Sequence, residues 1–219
     1  KDYQDSLTYM AQQTGGLAVV NTNDVADGLE LIRDDLFSYY SIGYAISDSG
    51  EDRVHRIEVS LPAHPEYELR YRRRFVEKSR ETQVQDRVFS SLMVDVDDNP
   101  MELSLTAGSR VPASDERWTA PLHLSFPLSR VALVPEGGDY VGRLVLFVGA
   151  RELDGRQSDT QRQEHEIRIP AAQVAAAAAQ SFGIDLQLLM GRGQHRVGVG
   201  VLDLVTRQAS YARLILTVP

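Results

Sequence analysis

The chain has 219 residues, 42% hydrophobic and 25% charged, which is ordinary globular composition with room for two modest domains. A net charge of −8 and a pI near 5.1 speak against a general nucleic-acid or anionic-membrane surface. No apolar run of about 18 residues is present to span a bilayer, and the absence of cysteine excludes a disulfide scaffold and any thiolate metal site.

In chain order, residues 7–16 read as a helix running into a glycine stop. Tyr3, Leu7, Met10 and Ala11 share one face, and Gly15 supplies the left-handed residue that ends it. Residues 17–20 read as a short buried strand and residues 21–39 as a second helix, with Asn23 or Asp24 as N-cap. Its apolar stripe is Val25, Leu29, Ile32 and Leu36, and Asp24 and Asp27 suit the positive end of the dipole. Two amphipathic helices around Leu-Ala-Val-Val predict the closing unit of an open α/β sheet. The chain opens at Lys1, so the first half of that domain is expected upstream. Three alternating stretches follow: Tyr40/Ile42/Tyr44/Ile46, then Ile57/Val59/Leu61 after a turn at residues 47–50, then Tyr67/Leu69/Tyr71/Phe75 among Glu68, Arg70, Arg72 and Arg74.

The ordered string is a helix ending in Ala-x-x-Thr-Gly-Gly, a short strand, an Asn/Asp-capped helix ending in Tyr39-Tyr40, then Ile42-Gly43-Tyr44, a glycine turn, Arg56-Ile57-Glu58-Val59 and Arg70-Tyr71-Arg72. It resembles the end of the von Willebrand factor A-related domain of exported acidobacterial proteins. The resemblance is strong over the first third of the chain and looser beyond. It implies export to the periplasm or the cell exterior and a β-rich region after the module.

Residues 76–94 carry Val76, Arg80, Val84 and Val88 at helical spacing, without Gly or Pro, and predict a connecting helix. From Met101 onward the period becomes two. Seven stretches predict about seven strands of an antiparallel sandwich of immunoglobulin type: 101–105, 122–128, 144–148, 165–169, 182–188, 197–201 and 211–217. Residues 141–150 are apolar on both faces and should lie centrally, Pro127 should push its strand to an edge or bulge, and 175–179 predict a short helical crossover. The expected fold class is therefore α+β. A partial von Willebrand A-like α/β segment with extra antiparallel strands (1–75) is followed by the helix (76–94) and an immunoglobulin-like β-sandwich (95–219).

Chemistry is sparsely written. Metal-dependent adhesion by such domains uses an Asp-x-Ser-x-Ser loop, which does not occur here. Asp95, Asp97, Asp98 and Asn99 are the best local oxygen-ligand set, but they lack the glycine and distal glutamate of a calcium loop and read as a solvated turn before Pro100. Histidines 55, 64, 123, 165 and 195 show no metal-ligand spacing, and Gly191-x-Gly193 and Gly198-x-Gly200 read as turn and strand glycines. Arg70, Arg72, Arg73 and Arg74 form the one dense basic patch, suited to an acidic partner and balanced by Glu66, Glu68 and Glu77.

No cofactor, metal or catalytic residue is implied, and the reading is a noncatalytic protein-interaction or scaffold module of an exported bacterial protein. The alternative is an accessory region beside an enzyme's catalytic domain lying upstream. The partner is expected to be protein rather than nucleic acid. An open strand edge at residues 17–20 predicts self-association through residues 17–75 rather than through the sandwich.

Overall fold

A computed structural model describes the chain except for residues 1, 21–24, 46–48, 154 and 157. The expected N-cap at Asn23 or Asp24 and the strand end at Ile46 lie outside the described residues. The chain divides into two compact units, Lys1–Ser79 and Arg80–Pro219.

The first unit holds helices α1 (Asp2–Thr14) and α2 (Val25–Phe37) and strands β1 (Arg53–Arg56) and β2 (Arg74–Glu77). α1 ends where the sequence places its stop: Gly15 has φ +74°, and Gly16 N–H donates to Ala11 O at 2.9 Å. A Cβ on Gly15 would lie 2.4 Å from the carbonyl carbon of Tyr71, so only glycine lets this helix end press against the 71–72 backbone. α2 is held through Gly28, where an added Cβ would meet a Val19 methyl at 2.8 Å. Its Leu29, Ile32 and Leu36, and Leu7 and Met10 of α1, remain exposed.

This corrects the expected fold class. Among the described residues of the first unit there is no parallel strand pair and no α/β sheet; β1 and β2 form a two-stranded antiparallel ribbon, Arg53 opposite Glu77. Residues 17–20, expected as a buried strand, and the alternating stretches 40–45, 57–61 and 67–71 belong to no ladder, and Leu17 and Val19 are exposed. Alternation sets which face a strand would bury without supplying a hydrogen-bonding neighbour, and here no neighbour is at hand. The described chain is predominantly antiparallel β-structure, not an α/β segment joined to a sandwich.

The second unit contains α3 (Arg80–Ser91), β3 (Ser104–Ala107), β4 (Val111–Pro112), β5 (Trp118–Pro127), β6 (Val134–Glu136), β7 (Asp139–Glu152), β8 (Gln161–Pro170), α4 (Val174–Ala177), β9 (Ser181–Met190), β10 (Gly193–Asp203) and β11 (Ala209–Val218). β5 is central to one antiparallel sheet, flanked by β3 and β4 on one side and β9 on the other. In the other sheet β7 lies between β8 and β10, with β11 beyond β10 and β6 pairing the start of β7. Between the sheets sits one core, including Leu122, Leu124, Phe126, Leu144, Leu146, Ile184, Leu186, Val199 and Leu216.

Pro127 does not mark an edge: it ends the central strand β5, opposite Ser181. Pro121 lies mid-strand, where the neighbouring side is interrupted between β3 and β4, and its carbonyl accepts from Gly108 N–H at 2.9 Å. The donor that proline lacks therefore faces the gap. β11 also departs from its expected register. Ala212, Leu214, Leu216 and Val218 face the core, whereas Ile215 is exposed and Tyr211 packs on the opposite face.

That opposite face explains α3. Val84 and Val88 are fully buried against Val145, Phe147, Leu202, Ala209 and Tyr211. The helix fits because Gly149, Gly198 and Gly200 clear a groove: a Cβ on Gly198 would meet Ser91 Oγ at 2.4 Å, and one on Gly200 a Val88 methyl at 2.6 Å. The β10 glycines are a helix-docking surface, a role that strand periodicity leaves unstated.

Candidate functional site

In the first unit the four arginines of the basic patch are brought onto one short stretch but held differently. Arg70 Nη2 donates to Asp35 Oδ1 on α2. Arg72 Nε donates to Arg74 O at 2.8 Å, and the Arg73 guanidinium lies 5.6 Å from the centre of the Tyr71 ring. Arg74 sits in β2 opposite Arg56. The backbone under them is fixed, since Arg73 N–H donates to Gln13 O at 3.4 Å and Arg73 O accepts from Ile57 at 3.0 Å.

Beside the Arg70–Asp35 pair α2 ends at Phe37, which is 84% exposed, and the chain continues through Tyr39, Tyr40 (98% exposed), Ile42 and Tyr44, all exposed. The sequence pattern places Phe37 and Tyr39 at the end of the second helix and Tyr40, Ile42 and Tyr44 on a strand face. The structure instead exposes an aromatic run leaving the helix that holds Arg70. Tyr and Arg combine apolar area with directional donors, which is why such residues dominate protein interfaces.

A polar node closes the other end of the β1–β2 ribbon. Glu77 Oε1 accepts from Ser49 N–H at 2.8 Å and from the Ser49 hydroxyl at 3.0 Å, while Oε2 accepts from His55 Nε2 at 2.7 Å. The Ser49 backbone donor, then the His55 ring, lower the Glu77 carboxyl to about 2. Sequence reading had placed Glu77 only as a counter-charge to the arginines; its long-range partners are set by the turn that returns β2 to β1.

The oxygen-ligand candidates are dispersed into structural roles. Asp95 pairs with Arg213 on β11, and Asp98 O accepts from Tyr211 N–H at 2.9 Å. Asn99 Oδ1 accepts from Leu103 N–H at 2.7 Å and its Nδ2 donates to Leu103 O at 3.0 Å, closing the turn into β3. Asp97 is exposed. Among the described residues, no three His, Asp or Glu side chains are grouped to hold a metal ion. The most deeply buried carboxylate among the described residues is Asp203, whose oxygens accept from Val205, Thr206 and Ala132 N–H at 2.8, 3.1 and 2.8 Å and so tie the β10–β11 turn to the segment leading into β6.

The histidines separate likewise. His64 stacks on Tyr67 at 5.0 Å, His195 Nε2 donates to Gly191 O at 2.8 Å, and His123 meets Asp185 at 2.7 Å on the solvated face of β5 and β9. His165 Nε2 is buried on β8 without a hydrogen-bond partner, and burial pushes the ring below its ordinary value. Among the described residues no helix is long and apolar enough to cross a membrane.

The chain matches no protein-family model, and no curated protein is similar to it in sequence. Solved structures are similar only faintly. The structural-genomics target SoR45 shares 10% identity at a TM-score of 0.37, over 57% of this chain and 91% of that one. The putative ApaA protein of Bordetella pertussis shares 9% at 0.33, over 56% and 98%. A Bacteroides uniformis β-glucuronidase shares 11% at 0.33, over 52% of this chain and 13% of the enzyme. Likeness this slight carries no argument about fold or activity.

Proposed function

We propose that the chain is a noncatalytic protein-interaction or scaffold module of an exported bacterial protein, of the acidobacterial kind that its first third resembles. One observation carries the reading: Phe37, Tyr39, Tyr40, Ile42 and Tyr44 stand in solvent on the run that leaves α2, the helix whose Asp35 holds Arg70. Exposed apolar area of this kind, rimmed by charge, marks a surface made to be covered. Its partner is protein, in keeping with the net charge of −8, and a second copy of the chain is among the proteins it engages through residues 17–75. The Asp35–Arg70 contact would orient the aromatic run by fixing the end of α2.

A photo-crosslinking residue in place of Tyr40 tests this in cells producing the protein. Discrete adducts are expected from position 40 and none from Thr106, on the exposed face of β3. Equal labelling at the two positions, or none at Tyr40, would refute the reading.

A further inference from the structure

The second unit carries a separate surface. Each of its two sheets has two outer edges, and three of the four are guarded. β3 and β4 are short. β8 ends at Pro170 and presents Arg162, Glu164, Glu166 and Arg168, paired as Arg162–Glu164 at 2.7 Å and Arg168–Glu166 at 2.8 Å. β11 is overlaid at its start by the 95–101 loop, through Tyr211 N–H to Asp98 O at 2.9 Å and Met101 N–H to Ser210 Oγ at 2.8 Å, and carries Arg213 paired with Asp95 of the same loop. Short edges, edge charges and covering loops are the usual defences against strand addition.

β9 has none of them. It runs ten residues, Ser-Phe-Gly-Ile-Asp-Leu-Gln-Leu-Leu-Met, pairs with β5 along its length, and has no partner strand on its other side among the described residues. Its one charge, Asp185, turns to His123 on the sheet face. Phe182 and Leu188 reach the core yet stay only half-buried, and Leu189 is exposed.

The sequence of this edge is complementary to itself. In an antiparallel pairing centred on Leu186, Ile184 faces Leu188 of the second copy and Phe182 faces Met190, which extends the apolar layer without a break. On the outer face Asp185 meets Gln187, and Leu189 meets Gly183, which has no side chain to obstruct it. We propose that β9 is a docking edge at which a second copy of this chain adds its own β9 in this register, joining the two β5 sheets into one. This deepens the interaction-module reading and rests on it, while departing from the expectation that the second unit takes no part in self-association.

The symmetry supplies a two-way test. Gln187 meets Asp185 twice per dimer, so Gln187→Lys adds two attractive pairs and Gln187→Glu two repulsive ones. By sedimentation equilibrium, Gln187→Lys should tighten the dimer and Gln187→Glu weaken it by about 2- to 30-fold each, with melting temperatures unchanged at concentrations low enough that the chain is monomeric. Asp185→Cys/Gln187→Cys, in a chain with no cysteine of its own, should oxidise to a crosslinked dimer. All three variants are made in a Phe37→Ser/Tyr40→Ser/Ile42→Ser background, which removes the other surface. Loss of self-association in that background, the two charges acting in the same direction, or no crosslink overturns the proposal and leaves the reading of residues 37–44 standing. A monomer that instead captures an extended peptide along β9 overturns it equally.

Discussion

Gly200→Ala tests how the second unit is assembled. An added Cβ would lie 2.6 Å from Val88 Cγ2, 3.0 Å from Val84 Cγ1 and 3.3 Å from Tyr211 Cδ1. Valine in a helix has one strongly preferred rotamer, so the Val88 methyl has no alternative position and the helix must lift. Val84 and Val88 are both fully buried, so lifting opens the small core beneath them. Overpacking of this kind costs roughly 1–3 kcal/mol, and exchanging glycine for alanine in a strand returns part of it, which leaves a net loss of about 1–2 kcal/mol. Val88→Ala alone should cost roughly 2–3 kcal/mol as a cavity. It also removes the methyl that clashes, so the double variant should be more stable than the sum of the single changes implies. Urea unfolding followed by Trp118 fluorescence and far-UV circular dichroism gives all three values. Strict additivity, or a Gly200→Ala change within about 0.3 kcal/mol of zero, would mean that the helix does not occupy the glycine groove.

Leu146 and Leu186 face each other's sheets in the main core, and replacing either by Ala should cost on the order of 2–5 kcal/mol in the same assay; under about 1 kcal/mol at both would contradict the register. Burial holds the folded His165 pKa down, so its stabilising effect is full above the unfolded value near 6.5 and falls as pH drops below it; His165→Leu should flatten stability between pH 7 and 5, and an unchanged slope would show the ring is solvated. Glu77 is displaced from 4.5 to about 2, so its contribution is present above about pH 4.5 and is lost as pH falls towards 2; Glu77→Gln should abolish acid-dependent amide exchange in the β1–β2 ribbon over that interval, and identical profiles would remove the node. Calcium should not bind tightly at residues 95–99; calorimetry giving a dissociation constant below about 10 μM, abolished by Asp97→Ala, would reverse that.

The two units differ in how far the sequence discloses them. In the second, period-two patterning marks the strands because most residues have a packed face and a free one, and runs such as Leu122/Leu124/Phe126 point inward as read. The pattern fails on β11, where Tyr211 and Leu216 are buried on opposite faces, because a helix covers the second face and each face carries apolar residues, Tyr211 and Ile215 on one and Ala212, Leu214 and Leu216 on the other. The glycines carry that information, but only as absent volume: Gly198 and Gly200 say that something approaches closely without saying what. Long-range pairs such as Asp203 with Ala132 and Glu77 with Ser49 have no local signature at all, because segments distant in sequence create them.

In the first unit the same patterns are present and the layers do not form. The stripe on α2 and the alternation at residues 40–44 are real in the sequence, yet Leu29, Leu36 and Tyr40 face solvent. A hydrophobic pattern records that a surface is meant to be buried; it does not record against what. In the second unit both halves of the main core contacts lie in the described chain, so pattern and burial agree outside β11. In the first they disagree, and that disagreement is itself informative, since solvent-facing stripes have a hydration cost that burial against another surface would relieve. The helix end at 37–39 and the strand face at 40–44 that the pattern points inward are therefore the proposed interaction surface, read once as the inside of a fold and once as the outside of a module.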